Sequence, residues 1–170
     1  MDIFQIVLFI LPAYFANALP VVTGGGTPLD LGKKYSDGRR ILGPGKTIRG
    51  FIGGVIGGII IAWIISQYYL LDFFPNKDTQ ILVGMLLSLG TMIGDSFGSF
   101  IKRRMDVEHG KTFRLDQILF IVIALILAFP FTPIEYYSIE VLGIILIGTY
   151  ILHPLTNFIA HGSGLKKVPW

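Results

Sequence analysis

Five long apolar stretches occupy nearly two-thirds of this 170-residue chain. They cover residues 3–23, 50–71, 79–101, 115–131 and 138–160. A helix needs about 20 apolar residues to cross the roughly 30 Å hydrocarbon core of a bilayer. The fourth stretch is at the low end of that range, but no polar side chain occurs between Leu119 and Phe131. The pattern predicts an all-α integral membrane protein with five transmembrane helices.

The composition excludes the main soluble classes. Only 15% of the residues are charged and 52% are hydrophobic, whereas an average soluble domain carries about 25% charged residues. The absence of cysteine excludes disulfide frameworks, thiolate metal sites and cysteine nucleophiles. We expect one membrane-embedded domain over residues 1–170. Its first helix is expected to be retained rather than cleaved, because the start lacks basic residues and the apolar run is too long for a signal peptide.

Basic residues are confined to one set of loops. Of the 14 Lys and Arg residues, 13 lie in residues 24–49, in residues 102–114 and in the carboxyl-terminal tail. Five spans put these segments on the same side of the membrane, and the positive-inside rule assigns that side to the cytoplasm. The predicted topology in the cell membrane therefore has the amino terminus outside and the carboxyl terminus in the cytoplasm. The net charge of +3 then points to phosphates at a membrane surface, and no nucleic-acid partner is expected.

Two carboxylates are predicted near the cytoplasmic ends of adjacent spans. Asp95 shares one helical face with Ser99 and Lys102, and Asp116 opens the fourth span. A carboxylate within a span is costly and usually has a partner. Two of them at the same depth suit a hard divalent ion such as Mg²⁺, with Lys102 beside them as a catalytic group. The alternatives are a salt bridge from Asp95 to Lys102 or Arg103, and a helix cap at Asp116.

A glycine-rich basic segment precedes the second span, reading Gly43-Pro44-Gly45-Lys46-Thr47-Ile48-Arg49-Gly50. It is not a Walker A motif, because Arg40 stands where that motif requires glycine. Backbone amides of glycines and the positive end of the following helix can nevertheless bind an anion. Lys46, Thr47 and Arg49 would add charge and a hydroxyl. A flexible Pro-Gly turn is the alternative.

Other small and polar residues lie within the spans. Glycines at four-residue spacing in the second and third spans favour close helix packing, and could also leave room for a lipid tail or a nucleotide. Tyr150, His153, Asn157 and His161 share one face of the last span, and Asn17 lies in the first. Hydrogen bonds between helices are the simpler explanation. In the alternative they line a polar cavity open to the cytoplasm, with Asn17 and Asn157 as substrate-binding residues.

Three runs together resemble the archaeal CDP-archaeol synthases. They are Pro12-Ala13-Tyr14-Phe15-Ala16-Asn17, the segment from Gly43 to Gly50, and Gly94-Asp95-Ser96-Phe97-Gly98-Ser99-Phe100-Ile101-Lys102-Arg103-Arg104 followed by Gly110-Lys111-Thr112-Phe113 and Asp116-Gln117. The resemblance implies transfer of CMP from CTP to an isoprenoid ether lipid phosphate, 2,3-di-O-geranylgeranylglyceryl phosphate. The products would be CDP-archaeol and pyrophosphate, with Mg²⁺ as cofactor.

The sequence signature of the related CDP-diacylglycerol synthases is matched only in part. Lys102-Arg103 matches it, but His109-Gly110 is followed by Lys111, and Asp116 is followed by Gln117. The departure favours the archaeal branch, and the bacterial role of the histidine is not carried over to His109.

The implied reaction needs no protein nucleophile, because the attacking lipid phosphate is already an oxyanion. Catalysis then depends on alignment and on neutralising the leaving pyrophosphate. We expect Asp95 and Asp116 to hold Mg²⁺, and the phosphates of CTP or of the lipid to be bound by Lys46, Thr47, Arg49, Lys102, Arg103 and Lys111.

Two other classes compete with the enzyme. A transporter or channel for an anionic solute would use Asp95 and Asn17 as a pathway, but the outer half of each span is almost purely apolar. A nonenzymatic scaffold would not require acidic and basic groups gathered on one face.

Overall fold

The computed structural model describes residues 2–107 and 116–165, the side chain at position 116 excepted. Within these residues the chain is helical, and its only β-type pairings are two isolated bridges. The helices are α1 (Ile3–Ala18), α2 (Pro20–Thr23), α3 (Ile48–Tyr68), α4 (Lys77–Arg104), α5 (Asp116–Ala128) and α6 (Ile139–Gly162). Two 3-10 turns, Phe129–Phe131 and Ile134–Tyr137, connect α5 to α6. The all-α prediction is confirmed for the described residues.

Four segments of the described chain are long and apolar enough to cross a membrane, namely Ile3–Thr23, Ile48–Tyr68, Lys77–Arg104 and Ile139–Gly162. The fifth predicted stretch forms a shorter apolar helical segment, Gln117–Phe131. Its α-helical part, α5, has 13 residues and is therefore about 20 Å long, shorter than the hydrocarbon core. The protein is a multi-pass membrane protein by this measure, and the count of five crossings stays a prediction.

Side-chain caps and a proline define where the helices begin and end. Asp2, Thr47, Asn76 and Ser138 each accept a hydrogen bond from the backbone amide three residues later, at the starts of α1, α3, α4 and α6. Pro20 begins α2, because a proline lacks the amide donor that would continue α1 and is favoured at a helix start. The first apolar stretch therefore consists of two consecutive helices that meet at Leu19.

The glycine rows are faces of close helix packing. Helix α4 packs against α1, α3 and α5, and α6 packs mainly against α5. A Cβ atom added to Gly54 would lie 2.6 Å from the carbonyl oxygen of Ala16, and one added to Gly58 would lie 2.7 Å from that of Pro12. These glycines therefore set the distance between α3 and α1, as the packing interpretation predicts.

Polar contacts close the end of the bundle opposite the basic segments. The Gln80 side chain accepts a hydrogen bond from the amide of Leu71 (2.8 Å) and donates one to the carbonyl of Tyr69 (3.0 Å). The Tyr136 hydroxyl donates to the carbonyl of Asp72 (2.9 Å), whose amide donates to the side chain of Gln5 (3.2 Å). The link from α3 to α4 is thereby fixed against α1 and against the turn before α6.

Candidate active site

Residues 24–47, called here the α2–α3 loop, have a defined backbone structure. The amide of Leu29 donates to the carbonyl of Lys46 (2.7 Å), and the amide of Ile48 donates to that of Thr27 (3.0 Å). Nearer the tip, the amide of Tyr35 donates to the carbonyl of Arg39 (2.8 Å). The two sides of the loop are therefore paired, with bridges between Pro28 and Thr47 and between Lys34 and Arg40. The glycine-rich segment lies between these bridges and contains a turn at Pro44 and Gly45.

Arg104, in the last turn of α4, anchors this loop to the helix end. Its guanidinium donates to the carbonyl of Arg40 (2.7 Å) and lies 3.1 Å from a carboxylate oxygen of Asp37. The same group lies over the rings of Tyr35 and Phe100, at 4.9 and 5.1 Å from their centroids. Such cation–π contacts add to the ion pair. Sequence reasoning did not identify this anchor, because a basic run after a membrane helix is usually only a topology signal.

Asp30 is the second residue that sequence reasoning missed. Its carboxylate is fully enclosed, is paired with Arg40, and accepts hydrogen bonds from the amides of Gly32, Leu42 and Gly43, each at 3.0 Å. Burial alone would raise the pKa of this carboxyl, but the hydrogen bonds from Arg40 and the amides hold the pKa well below its usual range. The available sequence signal was an isolated acid within a strongly basic segment.

Lys46 and Asp95 bring the loop and α4 together. The Lys46 ammonium nitrogen lies 2.5 Å from Oδ2 of Asp95, and about a quarter of each side chain is exposed, 27% and 21%. Sequence reasoning had offered Lys102 or Arg103 as the partner of Asp95, but the ion pair comes from a different segment of the chain. It lies at a shallow pocket that is bordered by the first turn of α3, whose positive dipole end favours anions.

The remaining predicted phosphate ligands of the α2–α3 loop and of α4 have distinct surroundings. Thr47 is buried, lines the same pocket and uses its hydroxyl to accept from the amide of Gly50 (3.2 Å). Arg49 is exposed, and its side chain passes close to Gly26. Arg103 lies beside Gly43, and its buried Nε has no hydrogen-bond partner in the described part of the chain. Both arginines therefore lie against the loop that carries Lys46.

Other predicted residues are further from this pocket or cannot be assigned to it. Asn17 and Asn157 are half-buried and are not among the described residues that line it. Lys102 is half-buried on α4, two turns beyond Asp95. Lys111, His109 and the side chain of Asp116 lie outside the described residues. The pair of carboxylates thus stays a prediction, and no cluster of three or more acidic or histidine side chains occurs within residues 2–107 and 117–165.

The polar face of α6 is not a uniform cavity lining. Tyr150 is 43% exposed, and His161 is exposed as well. One buried polar contact of this helix is made by Thr149, whose hydroxyl lies 2.7 Å from that of Tyr14 on α1. This contact is a hydrogen bond between helices, in line with the simpler of the two interpretations.

Comparisons with known proteins agree with the resemblance seen in the sequence. The family model described as CarS-like CDP-archaeol synthase matches residues 1–170. The CDP-archaeol synthase of Pyrococcus horikoshii is 51% identical over 164 residues, covering 95% of this chain and 94% of that protein. The synthase of Methanocaldococcus jannaschii is 41% identical over 175 residues, covering 99% and 97%.

A solved structure of an intramembrane enzyme for archaeal membrane lipids biosynthesis has the same fold. It matches with a TM-score of 0.75 and 32% identity, and the match covers 92% of this chain and 94% of the other. Agreement in sequence and in fold extends over nearly the whole length of both proteins. This chain therefore belongs to the CarS-like CDP-archaeol synthase family.

Proposed function

We propose that this protein transfers CMP from CTP to 2,3-di-O-geranylgeranylglyceryl phosphate, forming CDP-archaeol and pyrophosphate. Membership in the family supports the cytidylyltransferase activity and its product. The structural observation that carries the chemistry is the contact between Lys46 and Asp95, which puts a cation and a carboxylate at the basic end of a membrane bundle. That is the place where a charged nucleotide and a lipid headgroup can meet.

The reaction joins two anions, which defines what the protein must supply. An oxygen of the lipid phosphate attacks the α-phosphorus of CTP, the bond from that phosphorus to the bridging oxygen breaks, and pyrophosphate leaves. Cationic side chains lower the repulsion between the two phosphates and stabilise the leaving group. Lys46, Arg49 and Arg103 are proposed for this role. The buried Nε of Arg103 has no hydrogen-bond partner among the described residues, and it is proposed to donate to a phosphate oxygen.

The same site suits Mg²⁺. Proteins commonly bind this ion through one or two carboxylates plus substrate phosphates, and the partly exposed carboxylate of Asp95 is already paired with a cation, the Lys46 ammonium. Asp95 is proposed to hold the ion, with Asp116 at the start of the neighbouring α5 as the second ligand. When bound, Mg²⁺ would neutralise charge on the pyrophosphate. Lys46 would then exchange its contact with Asp95 for one with a phosphate oxygen.

The proposed arrangement in the membrane follows from charge and length. Five crossings, with the short α5 segment accommodated by local thinning of the bilayer, would put all basic loops on the cytoplasmic side, where CTP is available. The amino terminus would lie outside and the carboxyl terminus in the cytoplasm, in one domain over residues 1–170. Lys102 is proposed as a catalytic group, and Lys111, Asn17 and Asn157 as secondary substrate contacts.

The transporter alternative is not favoured. A pathway for an anion needs polar groups that are open to it at both ends of the bundle. At the end opposite the basic loops, the polar side chains are used in internal contacts: Gln5 and Tyr136 bond Asp72, and Gln80 bonds the backbone of Tyr69 and Leu71.

A substrate-omission assay tests the proposed activity. Purified protein in detergent is incubated with labelled CTP, Mg²⁺ and the geranylgeranyl ether phosphate, and the organic phase is analysed for labelled lipid. Label should enter the lipid only when all three are present, and pyrophosphate should accumulate in equal amount. Folded protein that gives neither product with this lipid would contradict the proposal. A labelled product that forms with a diacylglyceryl phosphate but not with the ether lipid phosphate would contradict the proposed lipid class.

A further inference from the structure

Asp30 is an enclosed carboxylate within a largely exposed loop. Its side chain is 0% exposed, while the next residue, Leu31, is 62% exposed. A buried carboxylate is tolerated only where its oxygens are fully hydrogen-bonded. Oδ2 accepts from the amides of Leu42 and Gly43, and Oδ1 accepts from that of Gly32 and pairs with Arg40. The backbone around position 43 is thus folded around this one side chain.

The turn that Asp30 holds is the one that carries Lys46. The first residue of this turn is Gly43, whose amide donates to the Asp30 carboxylate. The last residue is Lys46, whose carbonyl accepts a hydrogen bond from the amide of Leu29 (2.7 Å). Gly43 has a φ of 97°, which favours glycine over residues with a side chain. Residues 29 and 30 therefore hold both ends of a four-residue turn whose last side chain reaches Asp95.

The hydrogen bonds to Asp30 divide the amides of this loop into two groups. The amides of Leu42 and Gly43 are used by the carboxylate. Pro44 and Gly45 form the turn that follows, and within the described residues the amide of Gly45 donates no hydrogen bond, which leaves it able to bind an anion. The internal carboxylate thus satisfies the amides before the turn, while the Gly45 amide within the turn remains a donor.

We infer that Asp30 is a positioning residue, which sets the Gly43–Lys46 turn so that the Lys46 side chain and the Gly45 amide face the nucleotide phosphates. This inference rests on the proposed function, because it assigns Asp30 to the nucleotide part of that site. Asp30 does not touch substrate.

Two substitutions separate positioning from simple ion pairing. Asp30→Asn keeps the shape of the side chain but replaces one acceptor oxygen by an NH₂ donor. That donor must face other donors, either the backbone amides or the Arg40 guanidinium. Arg40→Gln removes the cation and leaves the three amide hydrogen bonds in place. We expect Asp30→Asn to raise KM for CTP on the order of tenfold with a smaller loss of kcat at saturating CTP, and Arg40→Gln to have a clearly smaller effect on KM.

Hydrogen exchange gives a readout that does not depend on activity. In Asp30→Asn, amides of residues 40–47 should exchange faster, while peptides from α1, α3 and α4 should exchange as in the wild type. Asp2→Asn is the matched control, because Asp2 also accepts a backbone amide hydrogen bond (2.8 Å from Gln5) but lies at the start of α1. It should change neither KM nor exchange in residues 40–47.

Each outcome decides the inference. Unchanged exchange and unchanged KM in Asp30→Asn would overturn it, and so would loss of protection throughout all helices, which would make Asp30 a general structural residue. If this variant does not fold, exchange is measured on the wild-type protein. The inference requires the amides of Leu42 and Gly43 to exchange more slowly than those of the exposed Ser36 and Asp37, and equal rates would overturn it. A wild-type protein with no CTP-dependent product would refute the proposed function while leaving the exchange result intact.

Discussion

The ammonium nitrogen of Lys46 lies 2.5 Å from Oδ2 of Asp95, which joins the α2–α3 loop to α4 at the basic end of the bundle. The two residues are 49 positions apart in the chain, and each belongs to a different sequence motif. Their contact makes one site out of a phosphate-binding segment and an intramembrane carboxylate.

Lys46→Ala should weaken the use of CTP. The variant loses a cation next to the proposed phosphate position, and a charge-assisted contact of this kind contributes about 1.5–3 kcal/mol. We expect KM for CTP to rise by at least about tenfold, measured from initial rates of CDP-lipid formation. Lys77→Ala is the control, because Lys77 is exposed at the opposite end of α4. An unchanged KM and kcat for Lys46→Ala would remove Lys46 from the site.

Asp95→Asn should abolish most of the Mg²⁺-dependent turnover. An asparagine keeps the size of the side chain but lacks the charge proposed to hold the ion, and a loss on the order of 100-fold in kcat is expected for such a group. Asp78→Asn, in the first turn of α4 at the far end of the helix, should retain activity. Full turnover by a folded Asp95→Asn protein would contradict the metal assignment.

The stability of the α2–α3 loop should depend on acid through Asp30. The folded-state pKa of Asp30 lies below its ordinary value of 3.8, so its contribution to stability is fully present above that value and is lost as the pH falls through the folded-state pKa. Asp30→Asn should therefore lower the Tm by a constant amount above about pH 5, with a smaller difference near pH 3. Thermal unfolding in detergent across this range measures it, and a deficit that grows towards acid would contradict the sign of the shift.

Gly58→Ala should destabilise the contact between α3 and α1. The new methyl group would lie 2.7 Å from the carbonyl oxygen of Pro12, and overpacking of this kind costs about 1–3 kcal/mol. Gly148→Ala on α6 is the matched control, because no atom lies within 4 Å of the added methyl group. It should be neutral or slightly stabilising, since alanine favours a helix over glycine by up to about 1 kcal/mol. Equal Tm values for both variants would contradict the packing role of Gly58.

The helices could be predicted from the sequence because an apolar run of sufficient length is a local property. The observed helix starts differ from the predicted ones by a few residues, because caps such as Thr47 and Asn76 begin a helix before the apolar run starts. Helix α5 is shorter than its apolar stretch because the 3-10 turn containing Pro130 follows it. Pro20 likewise begins a new helix, α2, directly after α1.

Individual residues of the site could be predicted from the sequence, but the contacts between them could not. Lys46 and Asp95 were each identified by charge and context, but nothing local in the sequence pairs residues from two distant segments. Asp30 was missed because its importance comes from enclosure by Arg40 and by the amides of Leu42 and Gly43, which exists only once the loop has folded. Burial within a loop is a tertiary property without a periodic signal.

Transfer of CMP to the lipid is tested most directly by placing the label at different phosphates of CTP. Wild-type protein is given the geranylgeranyl ether phosphate and Mg²⁺ with CTP labelled either at the α-phosphate or at the γ-phosphate, and lipid and aqueous phases are separated. Transfer of CMP predicts that the α-label enters the lipid and that the γ-label is recovered as pyrophosphate, in equal amounts. A γ-label in the lipid, or release of label as inorganic phosphate without any labelled lipid, would contradict cytidylyl transfer by this protein.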